Sequence, residues 1–158
     1  MGITVGTIIA ILGAGVAVML PGIASGTAVG WVGQSASGVV TEDPDKFGQV
    51  LLLQALPGTQ GIYGFLAAFM VMLRIGVFGE MIELSLYQGV LFFLASLPIA
   101  IVGRGTAYEQ AKASMAAVNI VAKRPEEIGK ALTFSAMVET YAVLAFLASL
   151  LMITGIPL

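Results

Sequence analysis

Apolar residues run along this chain in four long blocks, broken only where polar residues cluster at 41–46, 76–85 and 123–130. A bilayer span takes about 20 apolar residues, so the blocks predict four membrane-crossing helices, over residues 3–40, 47–76, 85–122 and 127–155. The first and third are longer than a bilayer needs. About 37 residues at 1.5 Å each reach roughly 55 Å, against a hydrocarbon core near 30 Å. Both should project into water at one end.

Composition agrees with the pattern. Hydrophobic residues make up 58% and charged residues 10% of the 158 positions, with a mean hydropathy of +1.00, whereas soluble domains carry about 25% charged residues. The reading is an all-α membrane protein embedded in the lipid bilayer. The first Lys or Arg is Lys46, so the opening segment lacks the basic start of a secretory signal and is expected to be a retained span. No Cys and no His are present, which removes disulfides, thiol metal sites and imidazole ligands; any ion site must be built from oxygen. A net charge of −2 leaves no basic surface for nucleic acid. By the positive-inside rule, Lys46, Lys123, Arg124 and Lys130 place the 41–46 and 123–130 loops on the cytoplasmic side. Both termini and the Glu80, Glu83 loop then lie opposite, with Arg74 mildly against that orientation.

Shifted against itself by about 81 residues, the chain aligns its halves without a gap. Pro44 falls on Pro125, Gly48 on Gly129, Thr59 on Thr140, and Phe65-Leu66-Ala67 on Phe146-Leu147-Ala148. Two tandem helical hairpins are expected, residues 1–78 and 79–158. The shift spans an even number of helices, so both hairpins have the same topology, unlike the inverted repeats of many carriers. That favours a rotational array of identical subunits. Low complexity alone can align Ala, Gly and Leu, but it does not account for the punctuating residues. Gly22, Gly26, Gly30 and Gly33 form one small-residue face, repeated on the third helix as Gly103, Ala107, Ala111 and Ser114. Such faces let backbones approach closely in lipid and suit the inner wall of a ring or an ordinary helix pair.

Glu139 is the only charged residue between Ala131 and Leu158. An acid at the centre of a membrane helix costs about 2.5–3.5 kcal/mol on insertion scales, so such residues usually serve ions, protons or ligands. Its repeat partner is Gly58, which leaves one acid for four helices. The run from Leu56 to Gly64 is unusually polar for mid-membrane: Thr59 and Tyr63 lie one turn apart, as do Gln60 and Tyr63, and can share a face. Pro57 frees the carbonyl of Leu53 and is expected to kink its helix so that nearby carbonyls turn inward. Gln110 joins Thr59, Gln60 and Glu139 at similar depth, each roughly a dozen residues from the loop end. One carboxylate, two amide oxygens and a hydroxyl make a hard-oxygen set suited to an alkali cation. A proton needs less, since a carboxylate in an apolar pocket holds one unaided; the surplus oxygens favour sodium. The plainer alternative is that Thr59, Gln60 and Gln110 only bond between helices.

The duplicated hairpins, the run LPGTQGIYGF, the EQAK segment and MVETYAVLAF closely resemble the proteolipid K subunits of bacterial sodium-pumping V-type ATPases, over nearly the whole chain. The resemblance implies a rotor ring of identical four-helix subunits in the cell membrane. The ring would turn against a stator membrane subunit that carries an arginine, with central-stalk subunits as further partners. It implies sodium ligands at the Leu56 carbonyl and the side chains of Thr59, Gln60, Gln110 and Glu139, with Tyr63 donating a hydrogen bond to the carboxylate. The family thus uses the Leu56 carbonyl, where the proline argument pointed to Leu53. ATP chemistry would happen elsewhere, because the chain has no phosphate loop, and it would be a non-catalytic subunit. Arg104 and Glu109 depart from the pattern. Glu109 and Lys112 are spaced to pair, and Arg104 is expected to meet solvent or lipid, the sharper alternative being that it tunes Glu139. Two rival functions stay open: a proton-specific ring of the same family, and a self-contained oligomeric channel. The channel would want polar residues where the first helix offers Gly, Ala and Val.

Overall fold

A computed structural model describes residues 3–158, and every regular element among them is helical. Helix α1 spans Val5–Glu42, α2 Phe47–Ala55, α3 Thr59–Arg74, α4 Leu86–Lys123 and α5 Ile128–Gly155. Short 3₁₀ turns at Pro44–Lys46, Leu56–Gly58 and Pro125–Glu127 join them into four spans long and apolar enough to cross a membrane. The expected architecture is therefore present, with one correction of form. The second span, expected as a kinked helix over 47–76, starts at Pro44, ends at Arg74 and is interrupted at Leu56–Gly58. Proline at 57 cannot donate to the carbonyl four residues earlier, and the backbone answers by tightening into a 3₁₀ turn. At 38 residues each, α1 and α4 are about 57 Å long.

The helix ends explain how the hairpins are held in register. Thr4 caps α1 by accepting the Thr7 N–H at 3.1 Å, and its hydroxyl donates to the Leu84 carbonyl at 2.7 Å. Ser85 opens α4 with a capping box to Gln88, whose amide also donates to the Pro157 carbonyl at 3.0 Å. Arg74 donates to the Ile156 carbonyl at 2.5 Å. The start of α1, the tail after α5 and the connection between hairpins therefore gather at one end. That connection turns at Gly76, the one positive-φ residue described (φ 77°), where a Cβ would overlap the Glu80 carbonyl. At the other end Lys46 Nζ donates to the Ala122 carbonyl at 2.8 Å and pairs with Asp43 at 3.2 Å, while Gln49 donates to the Pro125 carbonyl at 3.2 Å. The two hairpin loops lie side by side.

Small residues set the packing. Ala10, Ala17, Ala24, Ala28 and Val32 of α1 are fully buried, as are Ala100, Ala107 and Ala111 of α4, and close backbone approach replaces the hydrophobic drive that lipid cannot supply. Gly64 brings α3 onto α1; a Cβ there would overlap the Ala17 carbonyl and the Pro21 ring. Proline at 98 disturbs the ladder of α4, and the Ile99 N–H beside it donates to Ser149 Oγ at 3.1 Å, tying α4 to α5. The glycine faces behave differently in the two repeats. Gly103, Ala107, Ala111 and Ser114 are buried, whereas a Cβ on Gly22, Gly26 or Gly30 would meet nothing within 4 Å. Of the α1 stripe only Gly33 would set a Cβ against a neighbour inside the chain, the Gln54 amide.

Candidate ion-binding site

Three helices bring the polar residues together in the middle of the bundle. The turn at Leu56–Gly58 launches α3, so that Thr59, Gln60 and Tyr63 follow directly from it. Gln110 comes from α4 and Glu139 from α5. Tyr63 donates its hydroxyl to Glu139 Oε1 at 2.6 Å, and its ring stacks on Phe146 of α5 at a centroid distance of 5.6 Å. That stacking fixes where the hydroxyl points. Gln110 Nε2 lies 3.5 Å from Glu139 Oε2 and donates to the Ser135 carbonyl at 3.2 Å. Its own Oε1 accepts from Gln60 Nε2 at 2.5 Å. Both glutamines are completely buried, and Glu139 is half-buried.

The chain Gln60–Gln110–Glu139–Tyr63 is thus continuous. Leu56 and Thr59 stand beside it: the Thr59 hydroxyl donates to the Leu56 carbonyl at 2.9 Å, which also receives the Thr59 N–H across the 3₁₀ turn. Gln60 Oε1 is buried with no hydrogen-bond partner. A buried acceptor without a donor costs about 1–3 kcal/mol, and a cation held at this point would relieve it. No cluster of three or more Cys, His, Asp or Glu exists among the described residues. The site therefore offers one negative charge and several neutral oxygens, which balances a monovalent ion and leaves a divalent one with uncompensated charge in hydrocarbon. On its outer side Glu139 borders a shallow concavity of about 360 Å³, lined by Ala136, Thr140, Val143 and Leu144.

Sequence reasoning overlooked three supporting residues. Ser135 supplies the carbonyl that holds Gln110, and its hydroxyl pairs with that of Ser114 at 2.6 Å, both fully buried. Ser135 lies four residues before Glu139 and Ser114 four after Gln110, so helical spacing marks both as same-face neighbours of the site. Phe146 offers no such signal, because an aromatic in a lipid-facing helix looks like any other apolar residue. Glu109 and Lys112 do pair, at 2.7 Å, with both side chains exposed. Arg104 is exposed and makes no ion pair or side-chain hydrogen bond with the site among the described residues.

A family model for the C subunit of ATP synthase matches the chain twice, over residues 12–71 and 93–152. The second match starts and ends 81 residues after the first, the same interval as the internal repeat. The chain is 43% identical over 148 residues to the V-type sodium ATPase subunit K of Enterococcus hirae, covering 94% of this chain and 92% of that protein. It is 38% identical over 149 residues to the A-type ATP synthase subunit K of Methanocaldococcus jannaschii, covering 94% of this chain and 63% of that longer protein.

Proposed function

The chain belongs to the family of ATP synthase C subunits, whose members are non-catalytic rotor components of ATPases, and on that premise we propose that it forms a membrane rotor ring and carries sodium ions on Glu139. The observation that carries the reading is the unpartnered Oε1 of buried Gln60, one glutamine away from the Glu139 carboxylate. Sodium is the ion in the name of the 43%-identical relative, and the neutral oxygens here exceed what a proton would need.

In this proposal the Leu56 carbonyl and the side chains of Thr59, Gln60, Gln110 and Glu139 are the ligands. Tyr63 grips Oε1 and aims the other carboxylate oxygen at the ion. Gln110, whose Nε2 is held between the Ser135 carbonyl and Glu139 Oε2, offers its own oxygen on the side of Gln60. The ion cancels the charge of Glu139, so the loaded protomer can sweep through hydrocarbon without exposing an ionised acid. An arginine of the stator then competes for the carboxylate and releases the ion. ATP hydrolysis or synthesis takes place on other subunits, reached through the central stalk. The hairpin loops at 41–46 and 123–130 face the cytoplasm and the chain termini the other side, the orientation that the Lys and Arg distribution favours.

A carbodiimide that modifies Glu139 tests the ion directly. Sodium should slow the modification in a concentration-dependent way. Equal rates with and without sodium would remove sodium as the cargo and leave a proton-carrying ring.

A further inference from the structure

The faces that α1 and α4 expose change character halfway along. Their exposed large apolar residues run from Val5 to Ile23 on α1 and from Leu86 to Val102 on α4; beyond those limits the two helices expose only Trp31 of that kind, among the described residues. Towards the hairpin loops the exposed positions are instead Gln34 and Ser37 on α1, and Arg104, Glu109, Lys112 and Asn119 on α4. Both limits lie at one level, since Pro21 of α1 packs beside Gly103 of α4. The other spans show no such change: α2 and α3 expose Phe47, Phe65 and Leu73, and α5 exposes Phe134 and Leu151. Hydrocarbon can therefore cover about 39 Å from Phe47 to Leu73, but only about 24 Å of α4, from Leu86 to Val102. Arg104 stands at that limit, about 28 Å from each end of α4. It is exposed and has no ion pair or side-chain hydrogen bond among the described residues. One turn further on, Tyr108 packs against Trp31 of α1 at a centroid distance of 5.5 Å, and rings of this amphipathic kind gather where hydrocarbon meets water.

We propose that Arg104 binds the phosphate of an anionic phospholipid on the inner wall of the ring, with the acyl chains lying along Ile101 and Leu94 towards the chain termini and the head group level with Trp31 and Tyr108. The inference rests on the ring reading above, which turns the exposed faces of α1 and α4 inwards. A guanidinium stays charged and meets a phosphate with two parallel N–H donors, and basic positions between membrane helices are where anionic head groups bind. Nothing within the chain competes for Arg104. Glu109 is the one acid of α4; it lies five residues on, about 140° round the helix, and is paired with Lys112 at 2.7 Å. A free phosphate would satisfy only the guanidinium. A phospholipid satisfies both parts of the wall, its chains covering the apolar stretch and its anion meeting the charge at the end of it. A zwitterionic lipid brings an ammonium of its own, which competes with Arg104 for the phosphate and is repelled by it. The hydrocarbon inside the ring then ends at Arg104, while outside it continues towards the hairpin loops.

Native mass spectrometry of the intact assembly, returned to lipid discs of phosphatidylglycerol and phosphatidylcholine in equal parts with matched acyl chains, tests the inference. The released wild-type ring should retain phosphatidylglycerol several-fold over phosphatidylcholine, up to one for each chain. Arg104→Gln should lower that preference several-fold, Arg104→Lys should keep part of it, and Glu109→Gln should not lower it. Equal retention of the two lipids by the wild type, or a preference unchanged by Arg104→Gln, would overturn the site. Inorganic phosphate at millimolar concentration should displace none of the lipid; displacement would mean that any phosphate is taken and would overturn the lipid assignment, as would a polypeptide retained in place of lipid. The same spectra count the copies. Oligomers without a preference for the anionic lipid would leave the ring standing and overturn this site alone, whereas single chains only would remove the ring reading as well.

Discussion

Thr59 and Thr140 hold the same place in the two repeats and make the same local bond, each hydroxyl donating to the carbonyl three residues earlier, at 2.9 and 2.8 Å. Their surroundings differ completely. Thr59 precedes a fully buried glutamine that connects to Glu139; Thr140 precedes Tyr141, which lies 65% exposed. The duplicated backbone therefore does not by itself make an ion site. The polar cluster is assembled across the hairpins, with α3 contributed by the first and α4 and α5 by the second. Where the corresponding surfaces of the first hairpin are open, the acid is missing and glycine stands in its place. Duplication followed by divergence has left a chain with two hairpins and one acid at the paired positions 58 and 139, which avoids the roughly 2.5–3.5 kcal/mol of insertion cost that a second acid there would add.

The difference between the hairpins can be broken or sharpened by substitution. Glu139→Gln should abolish ion-coupled transport while leaving ring assembly intact, since the amide keeps the shape and loses the charge; retained transport would show that the charge lies elsewhere. Gln60→Leu and Gln110→Leu should each weaken sodium binding about 10- to 100-fold, on the scale of about 1.5–3 kcal/mol for a polar contact to a charged group. Val29→Leu, at the position corresponding to Gln110, should leave sodium affinity unchanged. Tyr63→Phe removes one hydrogen bond from a half-buried carboxylate, at the low end of that range, and should weaken binding about tenfold; sodium titrations of the purified ring read all of these. The smallest contrast is between the threonines. Thr59→Ala should weaken sodium binding by a factor of about two to ten, and Thr140→Ala should not change it; equal effects would mean that the hydroxyl acts only on its own helix.

Much of the fold was legible because lipid demands long apolar blocks, and the polar breaks between them mark the ends. The repeat and the isolated Glu139 were legible for the same reason, as punctuation in an otherwise uniform text. Rotation of each helix was not. In a soluble helix the apolar stripe reveals the inward face, but here the outside is as apolar as the inside. Gly22, Gly26 and Gly30 thus read as a packing face, while inside the single chain Ala24, Ala28 and Val32 are the residues that pack. Pro57 announced a break that reads as a kink, and the backbone tightens into a 3₁₀ turn at Leu56–Gly58 instead. Thr59, Gln60 and Gln110 were found by their match in depth to Glu139, and Tyr63 by its spacing of one turn from Thr59, its bond to the carboxylate coming from the family resemblance. Ser135, which holds Gln110 through its carbonyl, escaped because a backbone group carries no trace in the residue type.

Equilibrium binding of radioactive sodium to the purified ring, wild type against Glu139→Gln, tests the central claim most directly. The account predicts a single saturable sodium for each chain despite its two hairpins, and none in the variant. Two sodium ions per chain, no saturable binding by the wild type, or binding that survives Glu139→Gln would contradict it.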